Sequence, residues 1–302
     1  MKDSIRLQKI LEASAVSQEE LAHQLGVSFA TLNAWVNNRA QPRAKNQLLI
    51  EQLYHEVVGL DVISEIQLTE TKKKAHKTRL TVNELLRHRA TLDSLILNLT
   101  YHTNTIEGST MTLADTQAVL FENQVLTNKT QREQLEAQNH QAALLWLLNS
   151  LASGASLSEE LILNLHSKLM NGLVGDAGAY RKHGVRIMGS AVATSNPQRI
   201  PENMSRLIRR LNYTPQDFIA SLAKTHAQFE KIHPFSDGNG RVGRLIMLAQ
   251  SLLAQTMPPL VQKERRYAYY TYLQKAQTEE QYQYLELFLA ESVLFANELL
   301  LP

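Results

Sequence analysis

Apolar residues recur at helical spacing along most of this chain, and one stretch alone breaks the pattern. Glycine and proline, which interrupt helices, number only 12 and 8 in 302 residues. The interruption runs from Val185 to Pro201, where short β-branched pieces flank turn-forming residues, a pattern typical of a β-hairpin. The sequence therefore predicts an all-α protein with one hairpin. Representative helical series are Leu85, Leu92, Leu95 and Leu99; Leu161, Leu165 and Leu169; and Leu222, Phe229 and Ile232.

The charge balance and residue usage exclude several classes of protein. The 31 basic and 29 acidic residues give a net charge of +2, so any binding to nucleic acid would need a local patch. The absence of cysteine excludes disulfides, thiolate metal sites and a cysteine nucleophile. No apolar run approaches the ~18 residues of a membrane-spanning helix, and the first residues, MKDSIRLQKI, do not resemble a signal peptide. We therefore expect a soluble, cytoplasmic protein with no membrane partner.

A polar stretch marks the expected boundary between two domains. A chain of 302 residues suggests about two domains at roughly 150 residues each. Residues 67–78 contain four lysines and lack an apolar stripe, which is typical of a linker or a solvated helix face. The sequence predicts a head of residues 1–66, a linker of residues 67–78 and a body of residues 79–302.

The head contains the signals of two short helices joined by a tight turn. Ser17 followed three residues later by Glu20 is a capping box, and Gly26 is suited to end the first helix. Ser28 can cap the second helix. This spacing predicts a helix-turn-helix, whose second helix enters the major groove in DNA-binding proteins. The residues expected to face inward are Leu21, Ala22, Leu25, Val27, Leu32 and Trp35.

The head resembles the repressor/Cro-like helix-turn-helix family through QEELAHQLGVS, TLNAW and Pro42. Asn38 stands where that family has glycine, a mild departure because asparagine also tolerates left-handed backbone. The resemblance implies that residues 1–45 bind DNA. The implied contacts are Gln18, Ala30 and Asn33 to base edges and Arg39, Arg43 and Lys45 to phosphates.

A head that binds only protein stays open as an alternative. Phe29 and Ala30 are apolar for a helix that faces a DNA groove, and residues 1–45 carry only six basic against four acidic side chains. If the head binds DNA, its affinity for DNA should fall steeply with salt concentration. A flat response would favour the hypothesis that the head binds only protein.

Residues 233–244, HPFSDGNGRVGR, carry the clearest chemical signal in the body. The segment joins two amphipathic helices, so the main-chain amides of 238–240 and the N-terminus of the second helix can bind a phosphate. Arg241 and Arg244 lie on one face of that helix and suit a polyphosphate. Asp237 suits Mg²⁺, and His233 is the candidate general base. A dinucleotide-binding reading of GNGRVG fails because a helix, not a strand, precedes it.

HPFSDGNGRVGR resembles the motif of the Fic family, HPFx[D/E]GNGRxxR, at every defined position. The likeness extends over about residues 80–295, including LHSKLM at 165–170 and Ala179–Arg181. It implies an all-α Fic helical bundle with a β-hairpin flap, here preceded by a small helix-turn-helix domain. It also implies transfer of AMP from ATP to the hydroxyl of a tyrosine, serine or threonine in a target protein.

The resemblance also implies a role for each residue of the motif. His233 would take the proton from the target hydroxyl, and Asp237 would hold Mg²⁺. The amides of Gly238, Asn239 and Gly240, with the Asn239 side chain, would stabilise charge on the phosphoryl oxygens, while Arg241 and Arg244 would hold the distal phosphates. Phe235 would anchor the loop in the core. The flap at Ile187, Met188, Gly189 and Ser190 would pair with the target as an added strand.

A second segment, TNTIEG at residues 103–108, suggests regulation. Thr103 and Glu107 lie on one helix face, and Gly108 is suited to end that helix. The segment resembles the inhibitory helix of Fic proteins, whose glutamate pairs with the second motif arginine, here Arg244. The implied protein is an auto-inhibited adenylyltransferase with ATP, DNA and an unknown target protein, which can be a copy of itself, as partners.

Several alternatives stay open. Glu107 could instead position a water that removes AMP from a modified protein. The chain could also be a transcriptional regulator whose body senses nucleotide without transferring it. A homodimer and a nucleotide donor other than ATP stay open as well.

Overall fold

The computed structural model describes residues 2–14, 16–59, 62–187, 192–213 and 215–301. Over these residues the chain is helical and contains no β-strand, which confirms the expected all-α class. The helices are α1 Asp3–Ser14, α2 Gln18–Gln24, α3 Phe29–Val36, α4 Ala44–Val57, α5 Glu65–Ala75, α6 Val82–Arg87, α7 Arg89–Ile106, α8 Leu113–Phe121, α9 Gln131–Ala152, α10 Glu159–Leu169, α11 Ile200–Leu211, α12 Phe218–Ile232, α13 Asn239–Leu253, α14 Arg266–Thr278 and α15 Tyr282–Leu300.

The chain divides into two compact units. One consists of Met1–Ile63 with Glu264–Leu273, and the other of Ser64–Lys263 with Gln274–Pro302. Residues 67–78, the expected linker, lie largely within α5 of the second unit. There Lys72 forms ion pairs with Asp217 and Glu286, so its charge is paired with carboxylates distant in sequence rather than solvated.

The first unit contains the predicted helix-turn-helix. Ser17 and Glu20 form the expected capping box on α2, and the Ser28 side chain caps α3. Helices α2 and α3 pack together, and α1 packs against α3 and α4. Asn38 has φ +55°, the left-handed backbone that asparagine tolerates. The predicted inward face is confirmed, since Leu21, Ala22, Leu25, Leu32 and Trp35 are buried and Val27 packs against them.

The second unit is built around α13. This helix packs against α7, α9, α10 and α12, and its residues from Arg241 to Leu252 are all buried. A helix that is enclosed on every side has no solvated face, so any polar side chain it carries must find partners inside the protein. The arginines of the glycine-rich motif are on this helix.

The expected β-hairpin is not formed by the described residues between Val185 and Pro201. Ile187 is partly buried but is not in a strand, and Met188, Gly189 and Ser190 lie outside the described residues. The Thr194 hydroxyl donates to the Val185 carbonyl (2.8 Å), so a side-chain hydrogen bond joins the two arms where a ladder of main-chain bonds was expected. Within the described part of the chain, no helix is long and apolar enough to cross a membrane.

Candidate active site

The motif lies where two helices of the second unit meet. Helix α12 ends at Ile232, residues 233–238 form the connecting loop, and α13 begins at Asn239. The amides of Asn239 and Gly240 are in the first turn of α13, where no helical carbonyl is available to accept from them. The predicted arrangement of a loop that runs into a helix N-terminus is confirmed.

His233 follows the last residue of α12 and has left-handed backbone, with φ +50° and ψ +62°. Its Nδ1 lies 3.2 Å from the Glu230 carbonyl oxygen, and because a carbonyl only accepts, Nδ1 carries the proton and Nε2 keeps its lone pair. Burial lowers the pKa of His233 below its ordinary value, and the Arg181 cation acts in the same direction. The imidazole is thus held neutral at pH 7, in the tautomer that leaves Nε2 free to accept a proton.

Asn239 and Phe235 shape the loop. The Asn239 side chain accepts from the Phe235 amide and donates to the Phe235 carbonyl, both at 2.9 Å. The Phe235 ring is fully buried and stacks on His166 at 3.7 Å, which confirms its expected role as an anchor. Because the Asn239 side chain is used within the loop, its main-chain amide is the group that remains for an anion.

Gly238 allows the loop to approach the body closely. It has φ +79°, and a Cβ at this position would lie 2.6 Å from the sulfur of Met170. An alanine here would therefore require both a strained backbone and a shifted methionine. The Gly238 amide donates to the Asp237 carboxylate at 2.6 Å, which closes the loop locally.

Asp237 belongs to a network of four charges. Its carboxylate lies 3.3 Å from Arg132 and 3.4 Å from Arg241, and Glu136 lies 3.2 Å from Arg132 and 3.4 Å from Arg241. The Asp237 side chain is 45% exposed, so an incoming ligand can reach it, whereas Arg241 is buried. These alternating charges hold the Arg241 guanidinium beside the glycine loop.

Arg244 contacts the predicted inhibitory segment directly. Its Nη2 lies 2.5 Å from a carboxylate oxygen of Glu107, and its Nε donates to the Thr103 hydroxyl at 3.2 Å. Glu107 caps the C-terminal end of α7, and Gly108 follows with φ +105°, as expected for the end of a helix. The structure therefore brings Arg244 into contact with Thr103 and Glu107, which lie more than 130 positions earlier in the sequence.

Glu230 carries a buried carboxyl close to His233 and Gly243. Burial raises the pKa of Glu230 to about 8 against the opposing effect of Arg244. One carboxyl oxygen lies 3.9 Å from the imidazole of His233, and the other would be 2.5 Å from a Cβ at Gly243. Glu230 therefore packs closely against Gly243, where a larger residue would not fit without a shift.

Three residues of this site were missed by reasoning from the sequence: Arg132, Glu136 and Glu230. Arg181 belongs to a stretch that resembles the Fic family, but the sequence indicated no role for it. Arg132 and Glu136 occupy one face of α9, where they look like an ordinary exposed i,i+4 pair. Glu230 precedes the motif histidine by one helical turn inside an apolar helix, which is the one signal that could have identified it.

The DNA candidates of the first unit are distributed over α2, α3 and the residues that follow them. The Asn33 side chain donates to Gln18 at 3.1 Å, so two of the proposed base readers form a hydrogen-bonded pair. Ala30 and Arg39 are exposed, as are Arg43 and Lys45. Phe29 is also exposed (49%), which keeps an apolar ring on the same helix.

Comparison with known proteins agrees with this geometry. Residues 156–251 match the Fic/DOC family, and residues 7–55 match a helix-turn-helix family. The chain is 31% identical over 183 residues to a protein adenylyltransferase Fic of Drosophila erecta, and 31% identical over 182 residues to one of Culex quinquefasciatus. In both cases the similarity covers 58% of this chain but only 36% of the relative.

Solved structures show the same fold. Fic-1 of C. elegans, residues 134–508, has a TM-score of 0.62 at 24% identity and covers 93% of this chain and 83% of that one. A Fic domain containing signaling protein from Bacteroides thetaiotaomicron has a TM-score of 0.61 at 21% identity, covering 78% of this chain and 97% of that one. The chain therefore contains a Fic/DOC domain, at residues 156–251, and an N-terminal helix-turn-helix domain, at residues 7–55.

Proposed function

We propose that this protein is an adenylyltransferase that moves AMP from ATP to a hydroxyl of a protein side chain, and that Glu107 inhibits it. The observation that carries the proposal is the pairing of His233, held as a neutral base, with a glycine loop that opens a buried helix bearing two arginines. The relatives named protein adenylyltransferase Fic support the same reaction class.

His233 supplies the proton acceptor. The tautomer set by the Glu230 carbonyl leaves Nε2 to take the proton of the attacking hydroxyl while the new oxygen–phosphorus bond forms and pyrophosphate leaves. The amides of Asn239 and Gly240, together with that of Gly238 once it leaves the Asp237 carboxylate, stabilise the charge that develops on the α-phosphoryl oxygens. Arg241 and Arg244 hold the β- and γ-phosphates.

The residues present fit a magnesium ion that arrives with the triphosphate. Mg²⁺ is commonly held by one or two carboxylates together with substrate phosphates, and Asp237 offers one half-exposed carboxylate at the loop. No group of three or more histidine, aspartate or glutamate side chains suited to a metal occurs among the described residues, so the phosphates would supply the other ligands. Bound there, the ion would neutralise phosphate charge.

The flap is the proposed docking site for the target. Ile187 with Met188, Gly189 and Ser190 would pair with an extended target segment and bring its hydroxyl in line with the α-phosphorus. The hydrogen bond between Thr194 and Val185 keeps the two described arms of this segment together, which supports the assignment.

The histidine assignment is tested by replacing His233 with alanine. The variant should bind a non-hydrolysable ATP analogue nearly as tightly as the parent and transfer no label from [α-³²P]ATP to protein. Lys231→Ala, which changes a basic residue at the end of the same helix, is the matched control and should keep its activity. A folded His233→Ala protein that transfers label at the parent rate would overturn the assignment.

We also propose that the head binds DNA through Gln18, Ala30, Asn33 and Arg39. The hydrogen-bonded pair of Gln18 and Asn33, together with the exposure of Arg39, supports this proposal. Binding of the full chain to duplex DNA should weaken steeply between 50 and 200 mM salt, since about one counterion is released per phosphate contacted. A flat response would favour a head that binds protein through Phe29 and Ala30.

A further inference from the structure

Arg181 is a buried cation, and within the described residues its side-chain hydrogen bonds go to main-chain carbonyls. Only 2% of the residue is exposed. Its Nε donates to the His233 carbonyl at 2.7 Å, and Nη2 reaches the Ile232 carbonyl at 3.4 Å. The other bonds go to the carbonyls of His183 and Ser195, both at 2.7 Å. A planar guanidinium is the one side chain whose donors can serve several carbonyls in this way.

Two of these carbonyls belong to the C-terminal end of α12. The last carbonyls of a helix have no helical partner, and a cation at that end is favoured by the helix dipole. The bond from the Arg181 amide to the Pro234 carbonyl (3.0 Å) extends the contact one residue further along the loop. Arg181 therefore caps the helix that presents the histidine.

The cap acts on an unfavourable backbone conformation. His233 has φ +50°, a left-handed backbone that is unfavourable for a residue with a Cβ. The imidazole can donate to the Glu230 carbonyl only while the main chain holds this turn. Resting on the function proposed above, we propose that Arg181 is a positioning residue that fixes the conformation and tautomer of His233 and ties it to His183 and Ser195, which lie on either side of the flap residues 187–190.

The test uses the full chain in a Glu107→Gly background and two variants, Arg181→Gln and Arg181→Lys. ¹⁵N-histidine NMR without nucleotide reports the tautomer and titration of His233, assigned by comparison with His233→Ala. Transfer of label from [α-³²P]ATP and affinity for a non-hydrolysable ATP analogue are measured on the same samples. Lys182→Gln removes the neighbouring, exposed cation and serves as the control.

For Arg181→Gln we expect mixed tautomers, a raised titration midpoint for His233 and transfer that is about 10- to 100-fold slower, with analogue affinity within about twofold of the parent. Arg181→Lys keeps the charge but not the planar fork, so the midpoint should stay near the parent value while transfer still falls. Lys182→Gln should change neither the His233 signals nor the analogue affinity.

The proposal is overturned if Arg181→Gln leaves the His233 tautomer and midpoint unchanged, or if its slower transfer is matched by an equal loss of analogue affinity. Should that variant not fold, Arg181→Lys decides, and transfer at the parent rate would overturn the proposal. If the Glu107→Gly background itself transfers nothing, the proposed enzymatic function fails. The NMR comparison, which needs no nucleotide, still decides whether Arg181 positions His233.

Discussion

Removal of the Glu107 carboxylate should raise the proposed transfer of AMP. Arg244 is 3% exposed and its guanidinium lies 2.5 Å from Glu107, so a triphosphate can use Arg244 fully only when Glu107 has left. A hydrogen bond between charged groups contributes about 1.5–3 kcal/mol. The Glu107 side chain is 31% exposed, and solvent screening favours the lower part of that range, about 1.5–2 kcal/mol.

This free energy sets the size of the effect. At about 1.4 kcal/mol per factor of ten, Glu107→Gly should raise transfer about 10- to 30-fold at ATP concentrations below saturation. Glu107→Gln, which keeps a hydrogen bond but loses the charge, should give a smaller increase. Thr103→Ala should give a smaller increase too, since it removes only the 3.2 Å bond to Arg244.

The assay is incorporation of label from [α-³²P]ATP into the protein itself, with ATP-analogue affinity measured in parallel. Glu122→Gly is the matched control, because Glu122 is also a glutamate at the C-cap of a helix in the same unit but does not contact Arg244. If the Glu107→Gly variant transfers label no faster than the parent and binds the analogue no more tightly, Glu107 does not inhibit through Arg244.

Three further predictions follow from the buried groups around Arg244. Gly243→Ala places a Cβ 2.5 Å from Glu230 and should destabilise the body by about 1–3 kcal/mol in urea unfolding; an unchanged midpoint would contradict the packing. Because the pKa of Glu230 is raised to about 8, only the unfolded chain loses this proton from pH 4.5 upward, so stability falls until about pH 8. Glu230→Gln should remove this fall in the free energy of unfolding between pH 6.5 and 8. If the stability of the variant depended on pH as strongly as that of the parent over this range, the raised pKa would be wrong. Since the pKa of His233 is lowered, its base form persists at neutral pH, so single-turnover transfer should be level above pH 6.5 and fall as the pH drops through the lowered pKa; a rate still rising above pH 7.5 would exclude this assignment.

Local signals in the sequence predicted the elements that depend on neighbouring residues. The capping box of Ser17 and Glu20 and the helix end at Gly108 follow from contacts within four positions, and both are present. The glycine loop at 238–240 was likewise placed at the start of a helix. Such features are predictable because their energy is set within one turn of the chain.

Contacts between distant residues were not predictable in the same way. The pairing of Glu107 with Arg244 came from family resemblance, because nothing in the spacing of 137 positions brings the two together. The lysines at 72–74 looked solvated, yet Lys72 pairs with carboxylates 145 and 214 positions away. Arg181 lies in a stretch that resembles the family, but its role could not be predicted, since its partners are main-chain carbonyls that any residue provides.

The position of the transferred label tests the central claim most directly. Glu107→Gly protein is incubated with ATP labelled at the α- or the γ-phosphate, beside the double variant that also carries His233→Ala. We predict protein-bound label from the α position only, and none in the double variant. Label arriving from the γ position, or α-label transferred equally well without the imidazole, would contradict transfer of AMP by His233.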